Sequence, residues 1–215
     1  MSENIVIVGC GGHGRETLGV IRAINDASPA GEVWRFLGFV DDKPSAVHTE
    51  RVARLGVPYL GPVDWLSEVG DTYVALGIGD PRVRRGVDQR IAADFGLPVA
   101  SLVHPWSMMG PDTIAGDGLV LFAGSRVTTN VTLGRHVHVN LNSTVGHDCV
   151  ISDHVSVNPL AAISGECRIG SGVLIGTTAA ILQGLTVGSE STVGAGACVV
   201  RDVPPGVVVK GVPAR

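Results

Sequence analysis

Val139–Ile175 reads VNLNSTVGHDCVISDHVSVNPLAAISGECRIGSGVLI, and every sixth residue in it is aliphatic: Val139, Val145, Ile151, Val157, Ile163, Ile169 and Ile175. The same step continues outward through Leu133, Val127 and Leu121 on one side and through Ile181, Val187, Val193 and Val199 on the other. Two positions before each lies a second column of small or apolar residues: Ser125, Val131, Val137, Ser143, Cys149, Val155, Ala161, Cys167, Val173, Ala179, Leu185, Ser191 and Ala197. Just after the aliphatic column stand Gly, Asn or Ser at many steps, from Gly134 and Asn140 to Gly194. These types tolerate turns and positive φ, so the corners are expected there. A six-residue period predicts a solenoid with three flat faces and a turn at each corner. Three hexapeptides close one coil of 18 residues, and coils stack at about 4.8 Å. Residues 103–203 supply five to six coils, with both columns pointing inward.

Adding 18 to a residue number finds its neighbour in the next coil. Cys149 and Cys167 then lie above one another inside the prism, as small core residues. His136 and His154, also 18 apart, fall outside the inward columns and are expected at the surface.

The first hundred residues follow a different rule. Strand-like Asn4–Val8 runs into Gly9-Cys10-Gly11-Gly12-His13-Gly14 and then a helical pattern through Leu18, Ile21 and Ile24. Further strands are expected at Arg35–Val40, Val57–Leu60 and Thr72–Ile78, with a helix around Val83–Phe95. Strands alternating with helices imply a parallel, Rossmann-like α/β sheet. The chain therefore divides into an α/β domain over 1–100 and an all-β solenoid over 101–215. A glycine-rich turn between a strand and a helix lets backbone N–H groups approach phosphate oxygens. The same turn serves NAD enzymes, but GCGGHG departs from the spacing of their fingerprint. Asp41 and Asp42, closing the second strand, are placed to meet a ribose or a base edge.

Composition narrows the functional classes. Thirty glycines with only three Trp, two Tyr and four Phe suit many tight turns and an aliphatic core. Net charge is −4 and there is no basic run, which argues against a nucleic-acid partner. No apolar stretch approaches the roughly 18 residues of a membrane span, and Met1–Asn4 lacks the basic region of a signal peptide. A cytoplasmic protein is the expectation. The four cysteines (Cys10, Cys149, Cys167, Cys198) form no CxxC pair and read as reduced thiols.

The six-residue pattern resembles the hexapeptide-repeat acyltransferases, which form left-handed β-helices. Val193–Pro204 and the closing Gly211-Val212-Pro213-Ala214 resemble their usual ending. The GxGGHG turn, Asp41-Asp42, His104-Pro105 and VNLNSTVGHDC occur in the order of the sialic-acid O-acetyltransferase family. That family includes N-acetyltransferases acting on nucleotide-linked amino sugars. The resemblance implies an acetyl-CoA-dependent enzyme, a homotrimer, and acetyl-CoA lying between neighbouring solenoids. It implies no metal.

Acetyl transfer needs a base to take a proton from the attacking atom, and histidine suits that task near neutrality. His147 occupies the place of the family's catalytic histidine, at a corner two positions past inward Val145, with its ring expected to face outward. Asp148 matches the acidic residue that orients it. Some relatives carry a second acid just before the histidine, where this chain has Gly146. Asn140 matches an asparagine that holds the substrate's acetamido group, or serves as a corner residue in a left-handed turn. Counting hexapeptides puts Ser156 where many relatives have a second histidine near the thioester. Gly165, one coil above His147, either admits the thioester and offers its N–H to the oxyanion or is simply a corner glycine. With the resemblance, Ser156, Gly165, Thr177 and Ala195 are assigned to acetyl-CoA. Gly11, Gly12, His13, Asp41, Asp42, Gly77 and Ile78 are assigned to the nucleotide of the acceptor. Gly79-Asp80-Pro81 departs from the family's turn, so an O-acetyl acceptor from another class of metabolite stays open. Two rivals stand beside the enzyme reading: a non-catalytic trimeric scaffold, and a metal site among His136, His138, His147 and His154. The H-x4-H spacing of γ-class carbonic anhydrases is absent.

Overall fold

The computed structural model describes residues 2–215. The amino-terminal part begins with β1 (Glu3–Val8), α1 (Gly12–Ala27), β2 (Trp34–Val40), α2 (Ala46–Arg54) and β3 (Tyr59–Gly61), and ends with β4 (Tyr73–Leu76) and α3 (Pro81–Asp94). All four strands are parallel, in the order β3-β2-β1-β4. Helix α3 starts on Asp80, whose carboxylate accepts from the Arg82 and Val83 N–H groups, with Pro81 in the first turn.

From Leu102 the chain winds into a left-handed β-helix of two-residue strands. They stack into three parallel sheets of five, six and seven strands. At about 4.8 Å per strand the tallest face rises about 29 Å. Every step is 18 residues: Val145 lies beside Val127 and Ile163, and Ile169 beside Ile151 and Val187. The aliphatic column is buried throughout, and the second column is buried with it apart from Leu185, which is partly so. Cys149 and Cys167 are core residues, as the 18-residue step places them.

The left-handed corner lies elsewhere than expected. Positive φ falls three residues before the aliphatic column, at Asn130, His136, Asn142, Asp148, His154, Leu160, Glu166, Thr178 and Glu190. Gly134 and Asn140 are not among these positions. Each such corner donates its N–H to the coil before it, as Asp148 does to Thr129 O (3.2 Å) and Glu166 to His147 O (2.8 Å). This bond repays the strain of a non-glycine residue in that conformation. The small residues after the aliphatic column answer a different need. A Cβ at Gly146 would come within 2.6 Å of the Gly165 nitrogen in the next coil.

The three faces are not equivalent. One carries Leu102, Val120, His138 and Ser156 as its outward residues, and all four are buried. The α/β part covers them: Leu102, Val120 and Phe122 share a core with Leu18, Ile21 and Ile7. A second face carries Thr144, Ala162 and Ala180, and the third Thr132, Val150 and Arg168.

Candidate active site

His147 and Asp148 stand on the edge between the second and third faces, the edge opposite the covered face. Thr144–Val145 delivers the chain to this corner and Val150–Ile151 takes it away. The positive φ of Asp148 (61°) turns its carboxylate back onto the neighbouring ring. His147 Nδ1 meets Asp148 Oδ2 at 2.5 Å, and Asn130 donates to Asp148 Oδ1 at 2.5 Å. The Asn130 bond, and then the His147 bond, hold the Asp148 carboxyl below its ordinary range. An ionised carboxylate fixes the proton on His147 Nδ1 and leaves Nε2 with its lone pair free. The imidazole side chain is 50 % exposed, open to an incoming substrate.

Gly165 lies directly above, as the 18-residue step requires. A Cβ there would fall 2.6 Å from His147 Nε2, so the missing side chain makes room for the imidazole itself. Its carbonyl accepts from Gly184 N, while its own N–H meets no acceptor among the described residues. Glu166, not foreseen, joins the group: one atom each of His147, Asp148 and Glu166 lie within 4.8 Å of one another. Gln183 donates to Glu166 Oε1 at 3.3 Å. The signal was available, because Glu166 is Asp148 plus 18. It restores a second carboxylate that Gly146 seemed to deny. The three could grip a cation, though Asp148 is already engaged by Asn130 and His147.

Other candidates fall in different places. Thr177 and Ala195 are exposed and stack on the edge between the covered face and the second face. In one chain they are therefore apart from His147. Asn140, on that same edge, is 5 % exposed and spends its amide on Val157 O (3.0 Å). That bond ties it to the next coil and leaves its side-chain oxygen out of the contact. Ser156 is 1 % exposed and donates to Gly79 O at 2.7 Å. Its face is the covered one, so within one chain its hydroxyl is turned to the α/β part. His136 and His154 are buried too, correcting the surface expectation. Helix α3 lies over their edge, and its Asp88 accepts from Arg135 (2.7 Å) and meets His136 Nε2 at 2.9 Å and His154 Nε2 at 3.5 Å. With His147 on a different edge, the four histidines do not converge as a metal site.

In the α/β part, Gly11 caps α1 without any side-chain bond, and Gly11 and Gly12 border open space. Gly77 packs against Gly14, where a Cβ would be 2.5 Å from the Gly14 Cα. Ile78, Asp41 and Asp42 line a cleft of about 410 Å³ with Val8, Lys43, Val63 and Val87. The carboxylates are less free than expected. Asp41 accepts from Cys10 N and Lys43 N, both at 3.0 Å. Asp42 accepts from Val63 N (2.9 Å) and Arg90 (2.6 Å). They shape the cleft by tying its loops together. The buried Arg84 guanidinium, lowered to about 9 by burial, donates to Ile78 O and Gly79 O on one side and His154 O and Val155 O on the other. The floor of the cleft is thereby fastened to the solenoid.

A left-handed β-helix with a His–Asp pair on one edge and an α/β domain on the opposite face is a hexapeptide-repeat acyltransferase architecture. Residues 4–91 match the family model described as PglD N-terminal domain. Over 145 residues the chain is 30 % identical to GDP-perosamine N-acetyltransferase of Escherichia coli O157:H7, covering 67 % of this chain and 62 % of that protein. Two solved structures match nearly end to end. PerB from Caulobacter crescentus, in complex with CoA and GDP-perosamine, is 30 % identical, with 99 % of this chain and 96 % of that one covered and a TM-score of 0.84. The acetyltransferase domain of PglB from Neisseria gonorrhoeae, in complex with acetyl coenzyme A, is 31 % identical, with 100 % and 99 % covered and a TM-score of 0.86. The chain belongs to the hexapeptide-repeat family of nucleotide-linked amino-sugar N-acetyltransferases.

Proposed function

We propose that this protein transfers acetyl from acetyl-CoA to the amino group of a nucleotide-linked amino sugar, with His147 as general base. The observation that carries this reading is the His147 Nδ1–Asp148 Oδ2 contact of 2.5 Å, which leaves Nε2 as the accepting atom. The acceptor nitrogen attacks the thioester carbonyl while Nε2 takes its proton. The tetrahedral intermediate then collapses, the C–S bond breaks, and the coenzyme A thiolate leaves with the proton returned from the imidazolium. The Gly165 N–H is the donor available for the oxyanion. Glu166 beside Asp148 favours an amine over a hydroxyl acceptor: one that arrives as an ammonium gives up a proton to solvent and then attacks as the free amine.

Residues 1–100 serve as the acceptor-binding domain and 101–215 as the acetyl-CoA domain. Because the α/β domain covers the face opposite His147, the base of one copy serves the acceptor held by another. The face between the His147 edge and the Thr177–Ala195 edge carries small outward residues (Thr144, Ala162, Ala180), which let a second solenoid approach closely. A homotrimer closes that arrangement on itself and brings Thr177 and Ala195 of one copy towards His147 of the next, with acetyl-CoA between them. Among the described residues no helix is long and apolar enough to cross a membrane. A reaction drawing on acetyl-CoA and a nucleotide sugar belongs in the cytoplasm. The test is a thiol-release assay with acetyl-CoA and a panel of GDP-, UDP- and dTDP-linked amino sugars. Release with at least one amino sugar, absent with its hydroxyl analogue, is expected. Release with neither, or only with the hydroxyl form, rejects the reading.

A further inference from the structure

His13 and His138, 125 residues apart in sequence, come from different domains and meet in the covered interface. His13 Nε2 and His138 Nδ1 are 2.9 Å apart, with the rings stacked at 5.2 Å and 16°. One nitrogen of this contact must carry the proton and the other must accept. His138 is fully buried, and its Nε2 finds no partner among the described residues. If His13 donated, His138 would have to carry its proton on Nε2, as a buried N–H without an acceptor. If His138 donates, its Nε2 is a bare lone pair, and unmet donors are the rarer feature of protein interiors. The second arrangement places the remaining proton of His13 on Nδ1, 3.9 Å from the Glu16 carboxylate, which also favours a proton there. Both rings are neutral near pH 7: burial, and then the nearby Arg84 charge, lowers His13 to about 4 and pushes His138 well down.

We propose that His138 is a positioning residue of the acceptor site: it donates to His13 Nε2 and so fixes His13 Nδ1 as a hydrogen-bond donor at the glycine-rich turn. His13 is the second residue of α1, where the first-turn N–H groups lack intrahelical partners. With its tautomer set, the turn presents donors from both backbone and side chain. That is the pattern a phosphate recognises, here the diphosphate of the nucleotide-linked acceptor. The solenoid thus contributes to nucleotide binding through a residue that never touches the nucleotide. This rests on the acceptor reading above.

Two measurements on the full-length protein decide it. The long-range proton–nitrogen NMR spectrum of histidine-labelled protein should show both His13 and His138 protonated on Nδ1 and bare on Nε2. A proton on His13 Nε2 overturns the proposal. Titration calorimetry with GDP and UDP then compares His138→Asn, whose amide can still donate from the Nδ1 position, with His138→Leu, which cannot. His138→Asn should bind within about twofold of the parent and His138→Leu at least fivefold more weakly, at matched Tm. Equal affinity in the Leu variant, or equal loss in both, overturns the positioning role. No binding of either nucleotide by the parent protein rejects the acceptor reading and the nucleotide role together, while the spectrum still decides the tautomer.

Discussion

The imidazole of His147 lies where a side chain at Gly165 would stand: Nε2 is 2.6 Å from a Cβ placed there. The coil above the catalytic corner is therefore shaped around the base. Gly165→Ala should push the ring off Asp148 without straining the backbone, because Gly165 does not adopt positive φ. Displacement of a base by about 1 Å can lower turnover up to about 100-fold. We expect kcat to fall at least tenfold, with Tm nearly unchanged and crystallography showing a swung His147. Undiminished turnover would mean the ring position does not matter.

The solenoid was legible because its signal is periodic and made by burial: Ile151, Ile169 and Val187 occupy one column and one core. Residues whose role depends on the outward surface were not. His136, His138, His154 and Ser156 sit at positions that a free solenoid would expose, and nothing in the period says which face another domain covers. Asn140 is legible only in part, since residue type alone does not reveal that one of its amide N–H groups is spent on Val157 O. Corners were misplaced because Gly and Asn mark close approach as well as positive φ, and Gly146 answers the first need. Glu166 was within reach of the same arithmetic that linked His147 to Gly165.

Removing either half of the His147–Asp148 pair tests the proposed chemistry. His147→Ala should lower kcat at least about 100-fold, the scale of losing a general base. Asp148→Asn should also lower it by at least about tenfold, since the amide can hold the opposite tautomer. The double variant should be little worse than His147→Ala alone, because the two act as one unit. Steady-state kinetics with acetyl-CoA in excess gives all three values, and additive losses would show that Asp148 works independently of the ring.

Inserting one residue after Ile169 tests the register. Ile169 pairs with Ile151 and Val187 in the neighbouring coils, and every later inward residue would shift by one position. Thr186 and Thr192 would then take the inward places of Val187 and Val193, and buried large-to-small changes cost about 2–5 kcal/mol each. We expect loss of the cooperative thermal transition or insoluble protein. An insertion in the exposed stretch Gly31–Glu32, outside the solenoid, should leave Tm within a few degrees.

Acid should unfasten the covered interface before it reaches the rest of the molecule. Burial chiefly lowers His136 and His13 to about 4 from 6.5, and lowers His138 and His154 as well. Arg84 opposes protonation of His13, His138 and His154, whereas Asp88 partly favours it at His136 and His154. The unfolded chain therefore takes up protons between about pH 6.5 and 4 that the folded chain refuses, so stability is fully present above pH 6.5 and is lost as pH falls through that window. Asp88 acts lower still. Burial raises it, but Arg135 and His136 outweigh burial and hold it below 3.8, so its contribution persists to more acid pH. Calorimetry from pH 8 to 4 should show Tm level down to about 6.5 and then falling steeply. His136→Gln should flatten the fall, because one ring fewer must be kept neutral, at the expense of a lower Tm at pH 8 from the lost Asp88 contact. A Tm that stays level to pH 4 would show that these rings take up protons in the folded chain as readily as in the unfolded one, because water reaches them there.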